Sequence, residues 1–266
     1  MTLESVPVPT PGEHEALVKV AFAGVNFIDV YKRTGLTRFL PATLGEEGAE
    51  SLRLSGAGSR TSGPATAWRG LRCWDPTRNT SRCRQPGWCQ CLQRRTAVGR
   101  RDHAAGMTAH YLTHSTFPLK PGDRVLTHAA AGGVGLLLVQ IAKARGAYVI
   151  ATAGSAEKVS LAKAAGADAV IDYTTQDFAA EVKHLTEGKG VHVVYDSVGK
   201  STFMQGFEVL APRGMMVLFG QSSGVVPPIE PLMLSQRGSL FMTRPTLAHY
   251  IATRDELLWR AGDLFD

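Results

Sequence analysis

Arg124-Val125-Leu126-Thr127-His128, then Ala129-Ala130-Ala131-Gly132-Gly133-Val134-Gly135, then Leu136 to Arg145 is the stretch that decides the fold. The first part is a β-branched and apolar run that reads as a strand, the second a tight turn of small residues, and the third has helical composition and stops at Gly146. A chain that goes from strand through a glycine turn into a helix cannot pair the strand with its sequence neighbour in a hairpin. The next strand must lie parallel to it, reached by a crossover.

The same alternation continues downstream. Strands are predicted over Ala147 to Thr152, Ala169 to Asp172, Val191 to Tyr195, Met215 to Phe219 and Gly238 to Met242. Helices are predicted from near Ser155, over Gln176 to Thr186 and over Thr202 to Leu210, and a capping box at Thr253 to Glu256 opens another. Strands separated by helical stretches imply an α/β fold, a doubly wound parallel Rossmann sheet with helices on both faces.

The turn also carries chemistry. Ala130-x-Gly132-x-x-Gly135 matches the dinucleotide fingerprint except that Ala stands at the first glycine. Gly132 lets the backbone approach a pyrophosphate, Gly135 lets helix and strand pack closely, and the helix N-terminus supplies amide donors and a positive dipole end. Ala131, Gly132, Gly133, Val134 and Gly135 are therefore the candidate phosphate-binding residues, with a purely structural tight turn as the alternative. A site for NAD usually places an acid at the end of the second strand, to hold the ribose 2′-hydroxyl. Here that strand runs out through Thr152-Ala153-Gly154-Ser155, with no acid. Ser155 and Lys158 stand where a 2′-phosphate is received, and Tyr173 follows the third strand, so the expected cofactor is NADPH. The plain alternative for Lys158 is a solvated helix residue.

Composition points elsewhere until it is dissected. The chain has 266 residues, 44% hydrophobic, with a formal charge of +6. That charge invites a polyanion partner. Residues 51–105, however, hold eleven arginines against Asp75 and Asp102, all four cysteines and three of the four tryptophans, leaving 18 basic against 21 acidic side chains in the rest. The segment has no Tyr or Phe to interleave as stacking platforms and no nucleic-acid motif. No nucleic-acid partner is expected. No apolar run approaches membrane-spanning length and no signal-like start is present, so a cytoplasmic protein without a membrane role is expected.

Beyond these readings, several stretches resemble one family. Gly24-Val25-Asn26-Phe27-Ile28-Asp29-Val30-Tyr31, Ala129 to Gln140, Tyr195-Asp196-Ser197-Val198-Gly199 and Gly238 to Thr246 are similar to the zinc-independent, zeta-crystallin-like quinone oxidoreductases of the medium-chain dehydrogenase/reductase superfamily. The resemblance covers roughly residues 6–50 and 106–266. It implies an NADPH-dependent enzyme passing a hydride to a small-molecule quinone or similar enone, and a homodimer formed through the Rossmann sheet edge. It also implies a GroES-like, β-rich catalytic domain over 1–115, here incomplete, a Rossmann domain over 116–245, and a return toward the catalytic domain over 246–266. Relatives carry a further strand before Val6 and further elements after Asp266. Asn26 and Tyr31 are placed near the quinone, Asn26 donating to its oxygen as negative charge develops; the structural alternative is that Asn26 caps a short helix. Arg244 assists charge neutralisation or pairs with an acid. Ser197, Gly220, Phe241 and Thr243 line the nicotinamide end. Zinc-dependent relatives carry Gly-His-Glu, where this chain has Gly45-Glu46-Glu47-Gly48, and the spacing Cys73-x9-Cys83-x5-Cys89-x-Cys91 lacks paired ligands. No metal site is expected.

Residues 51–105 fit neither a period of 2 nor one of 3.6, and their only β-branched residues are five threonines and Val98. Taken as written, the segment is expected to be disordered and to supply no strands. A chain lacking this part of its catalytic domain could survive as an NADPH-binding remnant with little turnover. The composition matches a GC-rich gene read out of frame. Restoring one G after Ala49 lets Glu50 to Ser55 be re-read as Gly-Val-Val-Glu-Ala-Val and Gly63 to Gly70 as Pro-Gly-Asp-Arg-Val-Ala-Trp. Sequencing codons 48–106 is expected to show one base missing near codon 50 and one gained near codon 105; an intact frame refutes the re-reading.

Overall fold

The computed structural model describes Val8, Thr10 and residues 16–36, 47–55, 67–69, 80–83 and 103–264, with side chains described from Gly24 to Leu36 and from Ala104 to Leu264. Two compact units are present: Met1–Ala104 with Ile251–Asp266, and Ala105–Tyr250.

In the first unit, β1 (Ala16–Gly24) is followed by the helix α1 (Phe27–Arg33), then by β2 (Glu47–Ser55), β3 (Ala67–Arg69) and β4 (Thr80–Cys83). They form an antiparallel four-stranded sheet in the order β3-β2-β1-β4. Three of these strands reach into 51–105, which corrects the expectation that the segment supplies none. An antiparallel ladder is built from main-chain N–H and C=O groups, so the continuous Ala16–Gly24 strand can pair on both sides with segments that lack apolar alternation. Residues 56–66, 70–79 and 84–102, with Cys73, Cys89 and Cys91, and the Gly45-Glu46 pair lie outside the described residues.

In the second unit, α2 (His103–Tyr111) continues into a wider helical turn over Leu112–Thr116 and leads to β5 (Arg124–Thr127). Then come α3 (Gly133–Ala144), β6 (Tyr148–Ala153), α4 (Ala156–Ala164), β7 (Ala169–Asp172), α5 (Phe178–Leu185), β8 (Val191–Asp196), α6 (Phe203–Gly206), β9 (Leu210–Leu218), α7 (Leu232–Gln236) and β10 (Phe241–Thr243). A short α8 (Leu247–Tyr250) ends this unit; α9 (Arg254–Asp263), which belongs to the first unit, opens on the Thr253/Glu256 capping box expected from the sequence. The six strands β10-β9-β8-β5-β6-β7 are all parallel. The chain builds outward from β5 in one direction and from β8 in the other, so the order reverses between β5 and β8, where open α/β sheets bind ligands.

Both faces of this sheet are buried, with period 2. Val125, Val149, Ala151, Val193, Tyr195 and Val217 enter one cluster with Leu138, Val139 and Ala142 of α3. Their neighbours Leu126, Ile150, Val194, Met216 and Leu218 enter the other with Phe178 and Val182 of α5 and with Phe203 and Phe207. Burying each large aliphatic side chain contributes about 1.5–3 kcal/mol, which is why these strands read as nearly continuous apolar runs rather than alternating ones.

Two expected boundaries shift. The helix expected over Thr202 to Leu210 shrinks to α6, because Gly206 is buried so closely that a Cβ would lie 2.5 Å from the Met216 terminal methyl, and the chain then turns into a longer β9. The last strand begins at Phe241 rather than Gly238, because Gly238 (φ 109°) and Ser239 (φ 55°) form a turn. Among the described residues no helix is long and apolar enough to cross a membrane.

Candidate functional site

The C-terminal ends of β5, β6 and β8 carry polar side chains into an otherwise apolar interior: Thr127, His128, Thr152 and Asp196 are all buried. Between β5 and α3 lies the glycine turn. Ala129 is left-handed (φ 50°), a conformation unusual for a residue with a Cβ. The Ala130 N–H donates to the Thr152 carbonyl at 3.0 Å and the Gly132 N–H to the Ala129 carbonyl at 2.9 Å. The fingerprint's first glycine position is thus filled by a fully buried Ala130, and the bend is carried one residue earlier, by Ala129. Sequence pattern alone did not reveal that exchange.

Gly132 is the N-cap of α3, and the helix ladder begins with the Leu136 N–H on the Gly132 carbonyl at 3.0 Å. The amides of Gly133, Val134 and Gly135 precede that bond, so they are the free first-turn donors of the helix, at its positive dipole end. A Cβ on Gly133 would have no atom within 4 Å, leaving room for an anion against the turn. Gly135 is the reverse case: a Cβ there would collide with the Ala129 carbonyl oxygen and lie 2.7 Å from the Ala130 Cα. The close packing expected of Gly135 is present, but the open approach expected at Gly132 is found one residue on: a Cβ on Gly132 would lie 3.2 Å from the Ala129 carbonyl oxygen, whereas Gly133 has open space.

At the end of β6, a Cβ on Gly154 would collide with the Tyr173 hydroxyl and lie 3.0 Å from Tyr173 Cε2, so the exposed Tyr173 ring lies directly over Gly154. The Tyr173 N–H donates to the Ala153 carbonyl at 3.1 Å. Ser155 is the N-cap of α4 and its Oγ accepts from the Lys158 N–H at 3.3 Å. Ser155 caps α4 directly after Gly154, the glycine under the Tyr173 ring, which the sequence reading did not single out, and Lys158 is exposed in the first turn of α4 beside Glu157. Asp172, the last residue of β7, turns its carboxylate onto the Thr174 hydroxyl and N–H, at 2.6 and 3.0 Å. Those hydrogen bonds hold it below the usual carboxylate range.

On the other side of the switch point, the loops after β8 and β9 touch: a Cβ on Gly220 would lie 2.6 Å from the Ser197 carbonyl oxygen. Arg244 donates from Nη1 to the carbonyls of Leu218 at 3.0 Å and Gly220 at 3.4 Å. It binds the end of β9 through main-chain oxygens, not through an acid. Phe241 is exposed and Thr243 half-buried on β10. In the first unit, Asn26 is the N-cap of α1, with its N–H donating to Asp29 Oδ2 at 2.9 Å and its carbonyl accepting from the Asp29 N–H at 3.0 Å. Tyr31, one turn on, meets the Phe27 ring edge-on at 5.3 Å.

His128 was not expected to matter. Its Nδ1 lies 3.0 Å from the Thr152 hydroxyl and its ring meets Phe178 edge-on at 4.8 Å, while Nε2 has no hydrogen-bond partner among the described residues. Burial depresses its pKa below the ordinary 6.5, opposed by the carboxylate of Asp196. Since the native imidazole stays neutral where the unfolded one takes up a proton, this group leaves stability unchanged above pH 6.5 and reduces it as pH falls below, by up to about 1.4 kcal/mol per pH unit. The drop in thermal midpoint between pH 7.5 and 5.5 is expected to be smaller in His128→Gln than in the natural chain; equal drops would refute this. A second expectation concerns the turn. Gly135→Ala should cost about 1–3 kcal/mol by overpacking and weaken dinucleotide binding, read by denaturant midpoint and by quenching of intrinsic fluorescence.

Comparison with known proteins gives consistent matches. The zinc-binding dehydrogenase family matches residues 133–256. Quinone oxidoreductase 1 of Escherichia coli K12 is 39% identical over 261 residues, 96% of this chain and 79% of that protein. A 2-haloacrylate reductase of a Burkholderia species is 40% identical over 275 aligned residues, 99% of this chain and 82% of that protein. The crystal structure of Escherichia coli quinone oxidoreductase complexed with NADPH superposes with a TM-score of 0.92 at 37% identity, covering 98% of this chain and 81% of that one.

Proposed function

Because the chain belongs to the quinone oxidoreductases, the zinc-independent branch of the medium-chain dehydrogenase/reductase superfamily, we propose that it is an NADPH-dependent reductase that passes a hydride to a quinone or similar enone without a metal. One observation carries the cofactor half of this reading. The α3 N-terminus opens onto an unfilled approach at Gly133, and β6 runs out into Gly154 and Ser155 rather than an acid, with the Tyr173 ring over Gly154.

When bound, NADPH supplies the hydride. The amides of Gly133, Val134 and Gly135 hold the pyrophosphate charge, with Ala131 and Gly132 shaping the approach. Lys158 meets the 2′-phosphate as a point charge, while the Tyr173 and Ser155 hydroxyls add donors. Ser197, Gly220, Phe241 and Thr243 border the nicotinamide end. Asn26 donates to the quinone oxygen as charge builds there, beside Tyr31. Arg244, bonded to the carbonyls of Leu218 and Gly220, supports the loop electrostatically and sterically. The zinc-dependent relatives' histidine has no counterpart beside Glu46 and Glu47, so polarisation of the acceptor falls to such donors. A cytoplasmic location is part of the same reading, since the reduction draws on a pool of NADPH.

The test is steady-state NADPH oxidation with a naphthoquinone, with a 2-haloacrylate as an alternative acceptor. Acceptor-dependent oxidation is expected, with NADH less effective. Lys158→Ala should raise the KM for NADPH about tenfold, since one charged hydrogen bond contributes about 1.5–3 kcal/mol, and leave that for NADH unchanged. Tight NADPH binding with no acceptor-dependent oxidation would establish the remnant instead.

The homodimer is part of the same proposal. β10 is the sheet edge, paired on one side with β9, and Phe241 is 56% exposed on it. An edge of this kind invites a second copy. Sedimentation should give a dimer that Phe241→Asp converts to monomer; a natural chain that sediments as a monomer would refute it.

A further inference from the structure

Beyond the residues already assigned, one buried carboxylate remains to be explained. Asp196, the last residue of β8, is fully buried. Its Oδ1 accepts from the N–H groups of Val198 at 2.7 Å and Gly199 at 3.0 Å, and its Oδ2 from the Thr202 hydroxyl at 2.8 Å. Its main-chain carbonyl accepts from the N–H groups of Phe219 at 2.9 Å and Gly220 at 3.3 Å. One residue therefore ties both loops that leave the sheet at this end, the first through its side chain and the second through its backbone. The loops are also joined directly: the Ser223 N–H and hydroxyl both donate to the Val198 carbonyl at 2.8 Å. A Cβ on Gly199 would lie 2.8 Å from the Gln221 Cα, so the two backbones run in contact.

A carboxylate is a costly group to bury, and three donors are a large commitment of hydrogen bonds to a four-residue helix and two loops. An apolar residue would serve packing alone. What the carboxylate adds is direction: two amides converge on one oxygen and a hydroxyl on the other, so the loop from Ser197 to Thr202 can take only one path. We propose that Asp196 is a positioning residue for hydride transfer, holding Ser197 and Gly220 in the single arrangement that seats the nicotinamide. The proposal rests on the reading of these loops as the nicotinamide end. A misplacement of about 1 Å at a reacting centre can cost on the order of a hundredfold in rate. The pyrophosphate turn at Ala129 to Gly135 lies on another loop and receives none of the five hydrogen bonds made by Asp196.

The test separates the two ends of the site. In Asp196→Ala, the affinity for 2′,5′-ADP, which lacks nicotinamide, is expected to stay within about twofold, whereas kcat with a naphthoquinone falls by about ten- to a hundredfold. Asp196→Asn keeps one carbonyl oxygen for the two amides and lets the Thr202 hydroxyl turn to accept, so it should recover most of the rate. Amide hydrogen exchange reads the same role without turnover: it should accelerate over 197–202 and 219–224 and stay unchanged over 129–138. If Asp196→Ala does not fold, Thr202→Val removes a single bond and should give a smaller fall in kcat with the same pattern of exchange. Equal loss of 2′,5′-ADP affinity and rate, or exchange that is unchanged or faster everywhere, overturns the proposal. A natural chain that oxidises no NADPH, or binds no 2′,5′-ADP, refutes the functional reading instead, and the exchange pattern still decides whether Asp196 orders these loops.

Discussion

The close approach of α3 to the tip of β5 is the constraint on which the second unit depends. Gly135 lies so near Ala129 and Ala130 that no larger residue fits without moving backbone. That approach brings the first-turn amides of α3 to the edge of the sheet, where the strand order reverses. It is maintained by a strained Ala129, a conformation of a kind that costs about 1–3 kcal/mol and persists only where the surroundings over-determine it. Here they do: the Ala130 N–H is bonded to the Thr152 carbonyl, and His128, on the strand side of the bend, is locked to the Thr152 hydroxyl. Thr152 thus anchors the turn twice, from the neighbouring strand.

The polar groups of the interior follow from the same geometry. Parallel strands with both faces covered leave little space for polar side chains except where the strands end, and Thr127, His128, Thr152 and Asp196 sit at those ends. Each end is ordered differently. The β5 and β6 ends are fixed by main-chain bonds and a neutral imidazole, and the β8 end by a carboxylate that gathers amides. The result is two separately ordered halves of one crevice, suited to holding the two ends of an elongated dinucleotide.

Much of this was legible in the chain. The six parallel strands follow from short apolar runs such as Val191 to Tyr195, bounded by turn residues and alternating with helical stretches. The phosphate turn was legible because glycine is irreplaceable at Gly135. That β6 ends without an acid was legible, although Gly154, which admits the Tyr173 ring, gave no signal: a glycine after a strand looks like any turn. Asp196 was visible only as part of a family-like string, because hydrogen bonds from Val198, Gly199 and Thr202 have no sequence signature. The strands β3 and β4 were not anticipated, since β4 takes its order from β1 and β3 from β2, and neither from its own residues.

Local pattern determined what could be determined locally: which segments are strands, where helices start, which turn is tight, and that the excess positive charge belongs to residues 51–105. Tertiary structure alone decided how the tips of separate strands share their hydrogen bonds. It placed Thr152 beneath the turn, set the Arg244 guanidinium on main-chain oxygens of β9, and gave Asp196 its hold over two loops. The physical reason is that propensity and periodicity act over a few residues, whereas the satisfaction of a buried polar group is settled by whatever donor or acceptor the packed sheet brings within 3 Å of it.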